Sequence, residues 1–194
     1  MKNKEFFYQQ YDKINWENQE KTKINSFVYD FIIKNIISKH GGKNIRIFDI
    51  GFGIGFFFKA LEKELKSFNH IYLEGCEPSD KNYKYFLNNV VLGDEISLRG
   101  YHKTFQKVSI SKRVDFITSI YTFTAFDFED LEQSVKKIYS MLKEEGKFIL
   151  VVANEKYLEE KLKTKKDLFI EKSIIKYDGQ KYEEILTIII FLLL

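Results

Sequence analysis

Gly51, Gly53 and Gly55 stand at alternate positions between two apolar segments. The first, Ile45 to Ile50, is β-branched; in the second, Phe57, Phe58, Leu61 and Leu65 recur near helical spacing. That order predicts strand, tight turn, helix. Glycine tolerates the backbone such a turn needs, and lets a ligand touch main chain where a Cβ would clash. The first amides of the following helix then face whatever sits in the turn. The chain therefore opens with a βα unit built to receive a ligand at the carboxyl end of its first strand.

The glycines do not match a phosphate cradle. A dinucleotide turn reads G-x-G-x-x-G/A, and the last position here is Phe56 or Phe58, depending on which glycine starts the count. The G-x-x-x-x-G-K-[ST] loop is absent as well. What stands is D-x-G-x-G-x-G, from Asp49 to Gly55. Glu77 follows 22 residues after Gly55, at the end of a second apolar run, Ile71 to Cys76. An acid about 20 residues beyond the glycine turn, at the next strand tip, suits ribose hydroxyls. Ser79 is positioned to cap a following helix.

The string from Asp49 to Gly55 resembles motif I of the class I S-adenosylmethionine-dependent methyltransferases. Gly75-Cys76-Glu77-Pro78-Ser79 is similar to the G-x-E-P-S found at the second strand of many members. The resemblance covers about residue 20 to the end. It implies an α/β, Rossmann-like three-layer sandwich: a seven-stranded, mostly parallel sheet of order 3-2-1-4-5-7-6 with strand 7 antiparallel. It implies S-adenosylmethionine as cofactor and S-adenosylhomocysteine as product. By the same resemblance Gly51, Phe52, Gly53 and Gly55 contact the cofactor, and Asp49 orients the loop and the methionine amino group. Glu77 holds the ribose and Pro78 lies near the adenine. Tyr101 or His102 replaces the acid that members often carry after strand three. Ser119 and Tyr121, after strand four, face the methionine part. In place of the histidine that many members place there, Asp127 and His102 are the available general bases. Tyr8 and Tyr11 belong to an N-terminal lid.

Composition fits one soluble domain. The 194 residues are 44% hydrophobic and 30% charged, with a net charge of +3. Lysines and glutamates interleave, as on solvated helices, so a nucleic-acid partner is not expected. Cys76 is the single cysteine and can form no intrachain disulfide, which fits a reducing cytoplasm. Met1 to Glu5 does not begin a signal peptide, and the apolar end from Leu186 to Leu194 is too short to span a bilayer. Pro78 is the only proline, which rules out the N-P-P-Y motif of amino-directed nucleic-acid enzymes and the Pro-Cys nucleophile of cytosine C5 enzymes. No His/Cys cluster has metal-ligand spacing.

The expected organisation is a single methyltransferase domain, with 1–40 as a helical lid and 41–194 as core. Strands are expected at 45–50, 70–76, 96–100, 114–120 and 147–153. Helices are expected at 20–39, 54–67, 79–91, 128–143 and 155–163. Two β-like runs, 168–177 and 181–192, flank Asp178-Gly179, a hairpin signal. The expected activity is methyl transfer to a small molecule. The alternatives are an RNA or protein acceptor, or a module that binds the cofactor without catalysis. Nothing in the sequence fixes the oligomeric state.

Overall fold

The computed structural model describes residues 23–152 apart from 36, 42 and 127, and then residues 171–172, 175–177, 180–182 and 187–192. The chain divides into two compact units, Met1–Ser111 and Lys112–Leu194. The architecture is α/β and Rossmann-like, with strands in the order β3 (Ile96–Tyr101), β2 (His70–Cys76), β1 (Asn44–Ile50), β4 (Val114–Ile120), β5 (Leu142–Val152), β9 (Thr187–Leu192) and β6 (Glu171–Lys172). The order expected from sequence, including an antiparallel strand beside β5, is the order found.

In the first unit, helix α1 (Lys23–Asn35) buries Val28, Ile32 and Ile33, and its Tyr29 ring lies 5.3 Å from Phe57 of α2 (Phe56–Glu64). Strands β1 (Asn44–Ile50), β2 (His70–Cys76) and β3 (Ile96–Tyr101) run parallel. Their residues alternate between faces, as a pleated strand requires. Ile45, Ile47, Ile71, Leu73 and Ile96 are buried on one face. The other face carries polar partners. The Arg46 guanidinium sits 3.7 Å over the Tyr72 ring, Arg99 sits 4.9 Å over Tyr101, and His70 Nε2 is 2.9 Å from Ser97 Oγ. Helix α3 (Asp80–Asn89) joins β2 to β3.

In the second unit, β4 (Val114–Ile120) is buried from Val114 to Ser119. Helix α4 (Phe128–Met141) follows. It stops at Met141, short of the expected residue 143, because Leu142 already pairs with Val114 as the start of β5 (Leu142–Val152). Glu145-Gly146 lies in a bulge inside β5, where the register jumps from Leu142↔Val114 to Lys147↔Phe116. Glu145, not Gly146, takes the left-handed backbone, with φ 61°. Lys143 Nζ donates to Asp115 Oδ1 at 2.7 Å and ties the bulge to β4.

Within the two expected C-terminal runs, the described strands are β6 (Glu171–Lys172), β7 (Ile175–Tyr177), β8 (Gln180–Tyr182) and β9 (Thr187–Leu192). β7 and β8 pair as a separate hairpin, Tyr177 opposite Gln180, and β9 runs antiparallel to β5. The expected helix at 155–163, Tyr8, Tyr11 and Asp127 lie outside the described residues. Among the described residues, no helix is long and apolar enough to cross a membrane.

Candidate functional site

Three strand tips are tied together in the first unit. After β1 the turn runs through Gly51, Gly53 and Gly55 at φ 73°, 58° and 87°, all in the left-handed region that glycine enters without strain. The amides of Gly51 and Phe52 both donate to the Cys76 carbonyl, at 2.8 and 3.2 Å. The Gly55 amide closes the turn onto the Phe52 carbonyl at 2.9 Å.

Glu77 connects this turn to the start of α3. Its side chain is 3% exposed. Oε2 accepts from the Gly53 amide at 2.9 Å, and Oε1 accepts from the Ser79 amide at 2.8 Å. Its own amide donates to the Tyr101 carbonyl at 3.0 Å, joining the tip of β3. Charge-assisted bonds of this kind are stronger than neutral ones. Ser79 caps α3, its Oγ accepting from the Asn82 amide at 3.1 Å. Half-buried Pro78 lies between these two anchors.

The turn rests on aromatic rings. Phe52 is 4% exposed, and its ring lies 4.5 Å from Phe86 and 5.5 Å from Phe58. Gly75 and Gly100 pair across β2 and β3 beneath them. A Cβ on Gly75 would come within 2.8 Å of the Phe52 ring and 2.7 Å of the Asp49 carbonyl, and one on Gly100 within 2.6 Å of Phe86. Close helix–strand packing is thus provided by glycines on the strands and by the motif's last glycine, since a Cβ on Gly55 would come within 2.8 Å of Phe86. The Phe52 side chain is a support under the turn. Asp49, 2% exposed, stands opposite Gly75 at the carboxyl end of β1.

Tyr101 and His102 sit at the end of β3. The Tyr101 hydroxyl donates to Glu74 Oε1 at 3.0 Å; burial, and then this bond, raise its pKa above the usual phenol value. The His102 ring is exposed and stacks on Tyr83, 4.8 Å away and 11° from parallel. Asp80, at the first turn of α3, is held below the usual carboxylate range by its bond to Lys84.

In the second unit, Ser119 is fully buried near the end of β4, and its Oγ has no hydrogen-bond partner. Tyr121 follows with φ 62°, a left-handed conformation costly for a side chain this large. Its amide donates to the Val151 carbonyl at 2.9 Å, and burial pushes its phenol up to about 12.

Sequence reading thus anticipates the glycine turn and Glu77, and it singles out Ser119 and Tyr121. It misses Gly75 and Gly100 as the seat for the aromatic rings. It also misses Asn82, which is 1% exposed with an Nδ2 that has no partner. Its one signal is its place three residues after the capping Ser79.

No curated protein sequence matches the chain. Solved structures do match in fold. The N-methyltransferase NodS from Bradyrhizobium japonicum WM9, in complex with S-adenosyl-L-homocysteine, superposes with a TM-score of 0.71 at 13% identity, covering 98% of both chains. The magnesium protoporphyrin IX methyltransferase of Synechocystis PCC 6803, with bound S-adenosylmethionine, gives 0.62 at 10% identity, covering 98% of this chain and 96% of that one. The plantazolicin methyltransferase BpumL, in complex with a triazolic analogue and S-adenosylhomocysteine, gives 0.61 at 16% identity over 81% of this chain. This chain spans only 58% of that protein's length. In sequence, residues 48–150 match the family described as Methyltransferase domain. That span begins within β1, takes in the glycine turn, Glu77 and Tyr121, and ends in β5, so the chain belongs to the methyltransferase domain family.

Proposed function

We propose that this chain is an S-adenosylmethionine-dependent methyltransferase with a small-molecule acceptor. The observation that carries the reading is the bond from the Gly53 amide to Glu77 Oε2, which sets a buried carboxylate against a turn of glycine main chain. Residues 1–40 are read as a lid region on a single domain whose core is 41–194, and the compartment as the cytoplasm.

The residues present suit the cofactor. Gly51 and Gly53 offer a turn without Cβ atoms to a methionine moiety, while the bare Gly55 makes room for Phe86 and Val90. A carboxylate is an acceptor suited to ribose hydroxyls, and the burial of Glu77 strengthens such bonds. The unpartnered Ser119 Oγ is a buried polar group suited to a ligand atom. S-adenosylmethionine, when bound, supplies a methyl group already activated on a sulfonium, for in-line displacement. The protein's share is therefore alignment of the acceptor and exclusion of water. A base helps where the acceptor is a hydroxyl, and His102 and Asp127 are the proposed bases. Asp49 is assigned to the methionine amino group, Pro78 and Tyr101 to the adenine side, and Tyr121 to the methionine side.

The acceptor class is supported by two fold neighbours, one named for methylating magnesium protoporphyrin IX and one for plantazolicin. Calorimetry with S-adenosylhomocysteine and with NADH tests the site. Binding of the first alone is expected, and binding of NADH alone would overturn the reading. A panel of small hydroxyl, amine and thiol acceptors with methyl-labelled cofactor then tests the activity. Labelling only of RNA or protein would replace the small-molecule assignment.

A further inference from the structure

We infer that the side-chain amide of Asn82 donates a hydrogen bond to a ring nitrogen of the cofactor's adenine and helps select that base. The inference rests on the cofactor reading above. In the structure without ligand, Asn82 Nδ2 is a buried donor with no partner, and Asn82 as a residue is 1% exposed. Buried amides are almost always hydrogen-bonded, because leaving one unpaired is unfavourable by an amount comparable to a whole bond. A group kept in that state calls for a partner outside the chain.

Its position gives the partner's place. On α3 the buried side chains recur as Asn82 and Phe86, one helical turn apart, just after the buried cap Ser79. Phe86 packs under the glycine turn, 4.5 Å from the Phe52 ring and close beneath Gly55 and Gly100. Asn82 lies one turn nearer the helix start, at the level of the Glu77–Ser79 segment, and its own amide is fixed by Ser79 Oγ. Ser79 thus links the two, its Oγ accepting from the Asn82 amide and its own amide donating to the carboxylate assigned to the ribose.

Its chemistry gives the partner's kind. Glu77 is an acceptor and suits hydroxyl donors, whereas the Asn82 Nδ2 group can only donate. Adenine ring nitrogens are acceptors on a flat, largely apolar body. The next residue, Tyr83, with His102 stacked on it, presents aromatic surface alongside.

The test uses the whole chain and the variants Asn82→Leu and Asn82→Asp, with two readouts. One is the melting temperature without ligand. The other is the dissociation constant for S-adenosylhomocysteine and for its 1-, 3- and 7-deaza analogues. Asn82→Leu is expected to melt at or above the wild-type temperature, since it removes an unpaired polar group. It is also expected to bind S-adenosylhomocysteine about tenfold more weakly, the loss of one buried hydrogen bond. One deaza analogue should bind the wild type about tenfold more weakly, and lose nothing further in Asn82→Leu. Should Asn82→Leu fail to fold, Asn82→Asp, which keeps the shape and lacks the donor, gives the same reading. Unchanged affinity in the variants, or equal further loss with every deaza analogue, overturns the role of Asn82 while leaving the cofactor site standing. Absence of S-adenosylhomocysteine binding by the wild type overturns both.

Discussion

The Gly53 amide and the Glu77 carboxylate, 24 residues apart in the chain, meet at 2.9 Å, so the residue proposed to bind ribose also holds the glycine turn in place. Replacing Glu77 with Gln sets an NH₂ group or a weaker oxygen against one of two amide donors. Glu77→Gln is expected to weaken S-adenosylhomocysteine binding and to lower stability by about 1–3 kcal/mol, the scale of losing bonds to a charged group. Calorimetry and urea unfolding read the two effects. An unaltered midpoint would show that the carboxylate does not hold the turn.

Gly75→Ala probes the seat beneath the phenylalanines. The new Cβ would lie 2.7 Å from the Asp49 carbonyl, a backbone atom that cannot swing aside. Overpacking of this kind is unfavourable by about 1–3 kcal/mol. Weaker cofactor binding should accompany the loss, since the displaced carbonyl adjoins the glycine turn. Urea unfolding of Gly75→Ala indistinguishable from wild type would contradict the packing described.

Tyr121 gives an alkaline signature. Burial pushes its phenol from 10.0 up to about 12, so the folded chain holds this proton more tightly than the unfolded chain does. The resulting stabilisation is fully present below about pH 10 and is lost as pH rises through about 12. Tyr121→Phe should flatten the fall in stability across that window and remove a late-titrating phenol from the ultraviolet absorbance titration. Superimposable titrations of the two proteins would refute the assignment.

Lys143→Met tests the tie across the bulge. The Asp115 side chain is 8% exposed and the Lys143 side chain 43%, so the carboxylate loses its partner while half the pair was already solvated. The expected cost is about 1–2 kcal/mol, below that of a fully buried pair. A double-mutant cycle with Asp115→Asn measures the coupling, and additive effects would mean that the pair contributes nothing.

The sequence makes some of this legible because the signals are local. The glycine turn, the acid after β2 and the Ser79 cap each depend on neighbours within a few residues, and the strands announce themselves as short β-branched runs. The rest depends on residues brought together from afar. Gly75 is needed because Phe52 and Phe58 arrive from another part of the chain. The α4 boundary moves because Leu142 is claimed by Val114, 28 residues earlier. Asn82 reads as an ordinary polar residue near a helix start until its surroundings prove to hold nothing for its donor.

The Arg46 contact with Tyr72 across β1 and β2, and the Tyr101 bond to Glu74 across β2 and β3, have a metrological consequence. A slip of one residue between neighbouring strands would drive these charges into oil and turn isoleucines out to water. Such a slip is heavily penalised, so the three strands cannot slide. The height of Glu77 against Gly53 is thereby calibrated by contacts along the body of the sheet, before either residue meets a ligand.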